Sequence, residues 1–82
     1  MQVLYFAWLR ERVGAAAEQI DAGGARNARE LVARLTAQDP RYAAAFADLS
    51  AIRVAVDQEM ADLDTPIAGA REIAFFPPVT GG

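Results

Sequence analysis

The apolar positions change period several times along the chain, and each change marks an element. Val3-Leu4-Tyr5-Phe6-Ala7-Trp8-Leu9 is an unbroken apolar run rich in β-formers and closed by Arg10-Glu11-Arg12, which predicts a strand over 3–9. Gly14 and the alanines after it predict a turn, or a loop with some helical character. A short second strand is expected around 18–20, before the Gly23-Gly24 break. Asn27 followed by Glu30 has the form of a helix cap. After it Ala28, Leu31, Val32 and Leu35 recur at helical spacing, with Arg29 and Arg34 off the stripe. Asp39-Pro40 ends that helix, and Tyr42, Phe46 and Leu49 at i, i+4, i+7 predict a second, shorter one. Ile52, Val54 and Val56 then alternate with Arg53 and Ala55, the signature of a strand with one buried face. Asp57-Gln58 predicts a tight turn into a return strand around Met60. A loop follows over 63–69, and a last strand over 72–76 stops where Pro77-Pro78 begin.

The order β-β-α-(α)-β-β-β predicts an α+β fold, a mixed sheet with one main helix laid across one face. A hairpin, a helical crossover and a return strand make the β-grasp, or ubiquitin-like, layout, with a right-handed crossover expected. Residues 1–76 would form this domain and 77–82 an extended tail. One helix covers only one face of a small sheet, so the strands should alternate apolar and polar. The first strand does not: Val3, Tyr5, Ala7 and Leu9 share one face, and Leu4, Phe6 and Trp8 the other. The last strand repeats this, with Ile73 and Phe75 against Ala74 and Phe76. Leu4, Phe6, Trp8, Phe76 and Met60 are therefore expected on the open face, and a contiguous apolar patch there predicts a partner surface.

Composition removes whole classes of chemistry. The 82 residues contain no cysteine and no histidine, so thiol nucleophiles, disulfides, histidine metal ligands and Ser-His-Asp machinery are all unavailable. The net charge of −3 leaves no basic footprint for nucleic acid. No apolar run approaches membrane-spanning length, and no signal-peptide layout is present, so a cytoplasmic protein is the expectation. All eight basic residues are arginine.

The remaining feature is the ending, Phe75-Phe76-Pro77-Pro78-Val79-Thr80-Gly81-Gly82. Gly-Gly leaves the last carboxylate on a thread without side chains, thin enough for a narrow cleft, and Pro77-Pro78 hold the approach extended. Such an end suits a carboxylate activated as an acyl-adenylate and passed on as a thioester, amide or thiocarboxylate. Together with Phe6-Ala7-x-Leu9-Arg10-Glu11 and Val54-Ala55-Val56-Asp57-Gln58, this ending resembles the small, sulfur-carrying subunits of molybdopterin synthases over essentially the full length. Two positions depart from that family's pattern: Asp57 stands where Asn is general, and Gly69-Ala70-Arg71-Glu72 replaces a common Gly-Asp-Glu.

The resemblance implies that an E1-like enzyme adenylates Gly82 with ATP and a sulfur donor protein converts it to a thiocarboxylate. The large synthase subunit would then pass the sulfur to cyclic pyranopterin monophosphate, two transfers building the dithiolene. It implies that Phe6, Met60 and Phe76 contact the large subunit, that Pro77, Pro78, Val79, Thr80 and Gly81 run into its active site, and that two carriers flank a dimer of large subunits. ATP would be bound by the activating enzyme, and no cofactor is expected to be held tightly by this chain. The acid-base groups of the reaction would belong to the large subunit. Two alternatives stay open: the same carrier chemistry serving thiamine, cysteine or thiolated tRNA, and a ubiquitin-like protein modifier.

Overall fold

In the computed structural model, which describes residues 1–78, the chain runs β1 (Gln2–Tyr5), α1 (Trp8–Val13), β2 (Ala17–Gln19), α2 (Ala28–Gln38), α3 (Pro40–Ala45), a 3-10 turn (Leu49–Ala51), β3 (Arg53–Val56), β4 (Glu59–Ala61) and β5 (Glu72–Phe76). The strands form one mixed sheet in the order β2-β1-β5-β3-β4. β1 and β5 are parallel neighbours at its centre, and the β1–β2, β3–β4 and β3–β5 pairs are antiparallel. This is the β-grasp arrangement that the element order predicts.

The first strand is shorter than the apolar run suggests. Pairing with β5 stops at Tyr5↔Phe75, and residues 8–13 are helical rather than extended. Leu9 and Val13, spaced i, i+4, are both buried, while Arg10, Glu11 and Arg12 point outward. That helical spacing is masked in the sequence by the β-formers before it. Gly14 closes α1 in the left-handed conformation at φ 90°, with its N–H donating to the Arg10 carbonyl at 2.9 Å.

The change of direction falls on Ala7, whose φ of 56° and ψ of −133° lie in a region that a residue with a Cβ rarely occupies. The Leu9 N–H donates to the Phe6 carbonyl at 3.2 Å, closing a tight turn around Ala7 and Trp8. Full burial of Leu9 on one side, and the Phe6 N–H bonded to the Phe75 carbonyl at 3.1 Å on the other, hold the strain in place. Ala7→Gly is accordingly expected to raise the unfolding free energy by roughly 1 kcal/mol, strain relief exceeding the entropy that glycine adds to the unfolded chain. Ala7→Val should lower it. Urea titration checks both, and a glycine variant less stable than the parent would show that Ala7 carries no strain.

α2 begins as the cap motif predicts: the Asn27 side chain accepts from the Glu30 N–H at 2.8 Å. Glu30 reaches back one residue further than a capping box, taking the Arg26 N–H at 2.9 Å and the Arg26 guanidinium at 2.9 Å. The predicted stripe of Ala28, Leu31, Val32 and Leu35 is buried throughout. Asp39 ends α2 and caps α3, accepting from the Arg41 N–H at 3.0 Å, with Pro40 in the first turn where its missing N–H costs nothing. Leu49 is not part of α3. Phe46 ends that helix, and Asp48 caps a separate turn by accepting from the Ser50 N–H and hydroxyl.

The helix side of the sheet is built from Val3, Tyr5, Ile73, Phe75 and Val54, packed with the α2 stripe and with Leu9, Tyr42 and Phe46. Phe46 meets Phe75 edge-on at 4.9 Å between ring centroids, and Tyr5 stacks on Phe75 at 6.3 Å.

Candidate docking face and tail root

The register settles which side chains share the uncovered face. Leu4 lies opposite Ala17 on one side and Ala74 on the other, Ala74 opposite Ala55, and Ala55 opposite Met60. One apolar row thus crosses all the strands from β2 to β4. Towards the start of β1 the next row is polar, with Gln2 between Gln19 and Glu72. Towards the tail the next row holds Phe76 opposite Arg53. Phe6 stands beside it, its backbone tied to Phe75. Phe6 and Met60 are the large apolar side chains most open to solvent among the described residues, at 48% and 69%.

Leu4, Phe6, Met60 and Phe76 therefore fall where strand parity predicts. Trp8 does not, because it belongs to α1. It is half-buried against the core, with the Arg12 guanidinium 4.5 Å from its ring centroid. Ala55 enters the face instead, beside Ala74, which parity already sets with Phe76, and these two small residues separate Met60 from Leu4. Alternation over 52–56 already turns Ala55 outward, but only the pairing register brings it beside Ala74.

The tail leaves from the middle of this arrangement. β5 carries Phe75 into the core and Phe76 onto the rim of the open face, and Pro77 and Pro78 follow outside the sheet, half-buried. Val79, Thr80, Gly81 and Gly82 lie outside the described residues. Behind β5, Asp57 fixes the loop that leads into the strand. Asp57 and Gln58 have left-handed φ values of 50° and 70°, the pattern of a type I′ hairpin turn. The Asp57 carboxylate accepts from the N–H groups of Arg71 and Glu72 at 2.9 and 3.0 Å, and its own N–H donates to the Glu72 carbonyl. A single oxygen, Oδ1, takes both bonds, so the two departures from the family pattern come together in one intact contact. Asparagine would offer the same acceptor.

On the helix side, a carboxylate ties the edge strand β2 to the body. Glu18 Oε1 accepts from the hydroxyls of Tyr42 at 2.6 Å and Tyr5 at 3.0 Å, and Oε2 accepts from Arg41 at 2.9 Å. Nothing in the sequence signals this cluster. Burial pushes the Glu18 carboxyl up, but the two hydroxyls and the guanidinium favour its charged form more strongly and hold it below the ordinary glutamate range. Burial first, then the Glu18 charge, pushes the Tyr5 hydroxyl well up. A depressed carboxylate stabilises the fold above its unfolded pKa, and that stability is lost as pH falls through the folded value. Stability should therefore decline as the solution is acidified below about pH 4.3, the unperturbed glutamate value. Glu18→Gln should flatten that acid limb in denaturant titrations at stepped pH. An unchanged acid limb would assign the decline to other carboxylates.

Met60 borders an open hollow of about 350 Å³, between Val56, Asp57, Glu59 and Thr65. An open hollow of about 390 Å³ lies between Arg29, Leu49, Ile52, Leu63 and Asp64, on the helix side. Arg29 donates to Asp64 across it at 2.8 and 3.2 Å, and Arg53 and Asp62 also line it. Among the described residues no cluster of His, Cys, Asp or Glu could hold a metal ion, and no helix is long and apolar enough to cross a membrane.

The model of the ThiS family matches residues 3–82. The chain belongs to the ThiS family. Among its relatives, the molybdopterin synthase sulfur carrier subunit of Escherichia coli is 39% identical over 82 residues, covering 100% of this chain and 99% of that protein. The protein of the same name from Haemophilus influenzae is 37% identical over 84 residues, again covering 100% and 99%. Among solved structures, SAMP1 from Haloferax volcanii superposes on this ThiS-family chain with a TM-score of 0.75 at 30% identity, covering 100% of this chain and 98% of the other. A putative molybdopterin converting factor subunit from Pyrococcus furiosus, 22% identical with a TM-score of 0.70 over 95% of both chains, shows the shared fold.

Proposed function

We propose that this ThiS-family chain is the sulfur carrier subunit of a molybdopterin synthase, with the carboxyl group of Gly82 as the group that carries sulfur. The observation that carries the reading is the end-to-end match to two proteins of that name, which runs through the Phe75–Gly82 segment. In this scheme an E1-like enzyme joins the Gly82 carboxylate to the α-phosphate of ATP and pyrophosphate leaves. Sulfur from a donor protein then displaces AMP to give the thiocarboxylate. The large synthase subunit grips the open face through Phe6, Met60 and Phe76, takes in Pro77 to Gly81, and transfers the terminal sulfur to cyclic pyranopterin monophosphate. In this scheme the acid-base chemistry belongs to that subunit.

The fold supports the division of labour. β5 joins the rim of the open face to the tail without an intervening loop, so a partner seated on Phe76 receives the residues that follow. Intact-mass measurement after incubation with the activating enzyme, ATP and a sulfur source tests the proposal. Replacement of one oxygen by one sulfur at Gly82 is expected, and an unchanged mass would exclude a carrier.

The likeness to SAMP1, whose second crystal structure is described as a small archaeal modifier protein, supports one other reading: a protein modifier joined through Gly82 to an amine. Covalent adducts on other proteins, formed with the activating enzyme and no sulfur source, would favour it.

A further inference from the structure

Among the described residues Arg53 is the one cation on the five strands, and it is exposed. It lies opposite Phe76, so the two share the open face at the end of the sheet where the tail leaves. The other end of that face is polar and acidic, with Gln2 between Gln19 and Glu72. Glu72 and Phe76 are the first and last residues of β5, about 13 Å apart along the strand. The two ends of the face therefore differ in sign.

The Arg53 guanidinium is anchored on one side only. Nη1 donates to the carbonyls of Ser50 and Ile52 at 3.3 and 3.2 Å, while Nε and Nη2 donate to nothing among the described residues. Those two nitrogens form a fork that takes a carboxylate side-on. The chain uses the same fork elsewhere: Arg29 holds Asp64 through Nε and Nη2 at 2.8 and 3.2 Å, and Arg26 holds Glu30 at 3.2 and 2.9 Å. Asp62, which lines the same hollow as Arg53, gives its Oδ1 to the Asp64 N–H at 2.8 Å and the Thr65 hydroxyl at 3.2 Å. Arg53 takes part in no ion pair among the described residues.

We infer that Arg53 is a specificity-determining residue of docking: its Nε–Nη2 fork takes a carboxylate of the large subunit at the tail end of the interface and fixes which way round that subunit sits. The inference rests on the reading of the open face as the large-subunit contact. Cross-strand partners stand about 5 Å apart at Cβ, so a subunit that covers Phe76 reaches Arg53 as well. A guanidinium covered with its donors unmatched is strongly unfavourable. A carboxylate answers the fork with two hydrogen bonds and the opposite charge. Seated the other way round, the same carboxylate would meet Glu72 and be repelled, so the wrong orientation is penalised as well as the right one favoured. Phe6, Met60 and Phe76 supply area, and Arg53 supplies direction.

Surface plasmon resonance of the full chain with the purified large subunit tests this, at about 0.1 M and about 1 M salt, where the screening lengths are about 10 Å and about 3 Å. Arg53→Glu is compared with Arg34→Glu, the same change of net charge at an exposed position of α2, on the helix side. At the lower salt Arg53→Glu should slow association by about tenfold or more, Arg34→Glu by no more than about twofold, and the difference should shrink at the higher salt. Should Arg53→Glu fail to give a parental melting curve, Arg53→Gln replaces it and should slow association by about threefold. Arg53→Lys keeps the charge and loses the fork, so association should stay parental while dissociation quickens by about threefold or more. Equal association rates for Arg53→Glu and Arg34→Glu would leave the fork to solvent or to the chain's own tail and overturn the inference. Parental dissociation of Arg53→Lys would overturn it too. Phe6→Ala and Phe76→Ala run alongside: if neither weakens binding, the reading of the face fails and this inference with it. If both do while Arg53→Glu binds as the parent does, the inference alone falls.

Discussion

Deleting Gly82, or adding one residue beyond it, is expected to abolish sulfur loading while leaving the thermal midpoint of the domain unmoved. Among the described residues the last buried side chain is Phe75, and Pro77 and Pro78 add nothing to the sheet. The described core is complete without Gly82, which is why the thermal midpoint is expected to hold. On the proposed reading chemistry has everything at stake, because the activating enzyme must hold a Gly82 carboxylate oxygen in line with the ATP α-phosphate. A displacement of about 1 Å can cost on the order of a hundredfold, and a one-residue change in length shifts the carboxyl by about 3.3–3.6 Å. Mass spectrometry of the loaded chain and a melting curve make the comparison. A truncated or extended protein that still gains sulfur would make the terminus incidental.

The second large effect is a contrast between neighbours. Phe75→Ala is expected to cost about 3–5 kcal/mol, the range for removing a large buried aromatic. Phe75 is fully buried and is the ring on which Tyr5 and Phe46 both pack. Domains of this size have about 5–15 kcal/mol in all, so the variant should be largely unfolded in mild denaturant. Phe76→Ala, one residue on, removes a half-buried ring from the opposite face and should leave the denaturation midpoint nearly unchanged. Its effect belongs to binding. On the proposed reading, loss of an aromatic anchor costs about 2 kcal/mol or more, roughly thirtyfold in Kd, and Phe6→Ala should behave alike. Denaturant titration and calorimetric titration against the large subunit separate the two effects. Equal behaviour of Phe75→Ala and Phe76→Ala in both assays would remove the two-faced account of β5.

Much of this was legible in the sequence, for physical reasons that can be named. The stripe 28-31-32-35 reads as a helix because burial of a single face imposes its period, and Asn27 caps it as its short acceptor side chain allows. The parity anomaly in the first and last strands gave the open face, since a sheet covered on one side has no other reason for apolar residues on both. The end of β1 was not legible. Tyr5 to Leu9 satisfies strand and helix alike, and the decision rests on where β5 stops pairing and on an alanine willing to take a positive φ. That misreading moved Trp8 to the wrong element while leaving Phe6 on the rim. The Glu18 cluster was hidden because its members come from β1, β2 and α3, distant in sequence and joined only by the fold. Asp57 was visible as a turn residue, but its hold on the loop before β5 depends on a left-handed φ and on a strand 15 residues away.

The central claim is that Gly82 is cargo carried by the fold and that the chemistry happens in another protein's pocket. A single-turnover reaction tests it most directly: thiocarboxylated chain, large subunit and cyclic pyranopterin monophosphate, with no activating enzyme present, followed by the mass of the chain and the appearance of molybdopterin. The account predicts that the chain returns to its carboxylate mass as the dithiolene forms, with two chains spent for each product. A chain that keeps its sulfur in the presence of both, or that gives it up with no dithiolene formed, would contradict it.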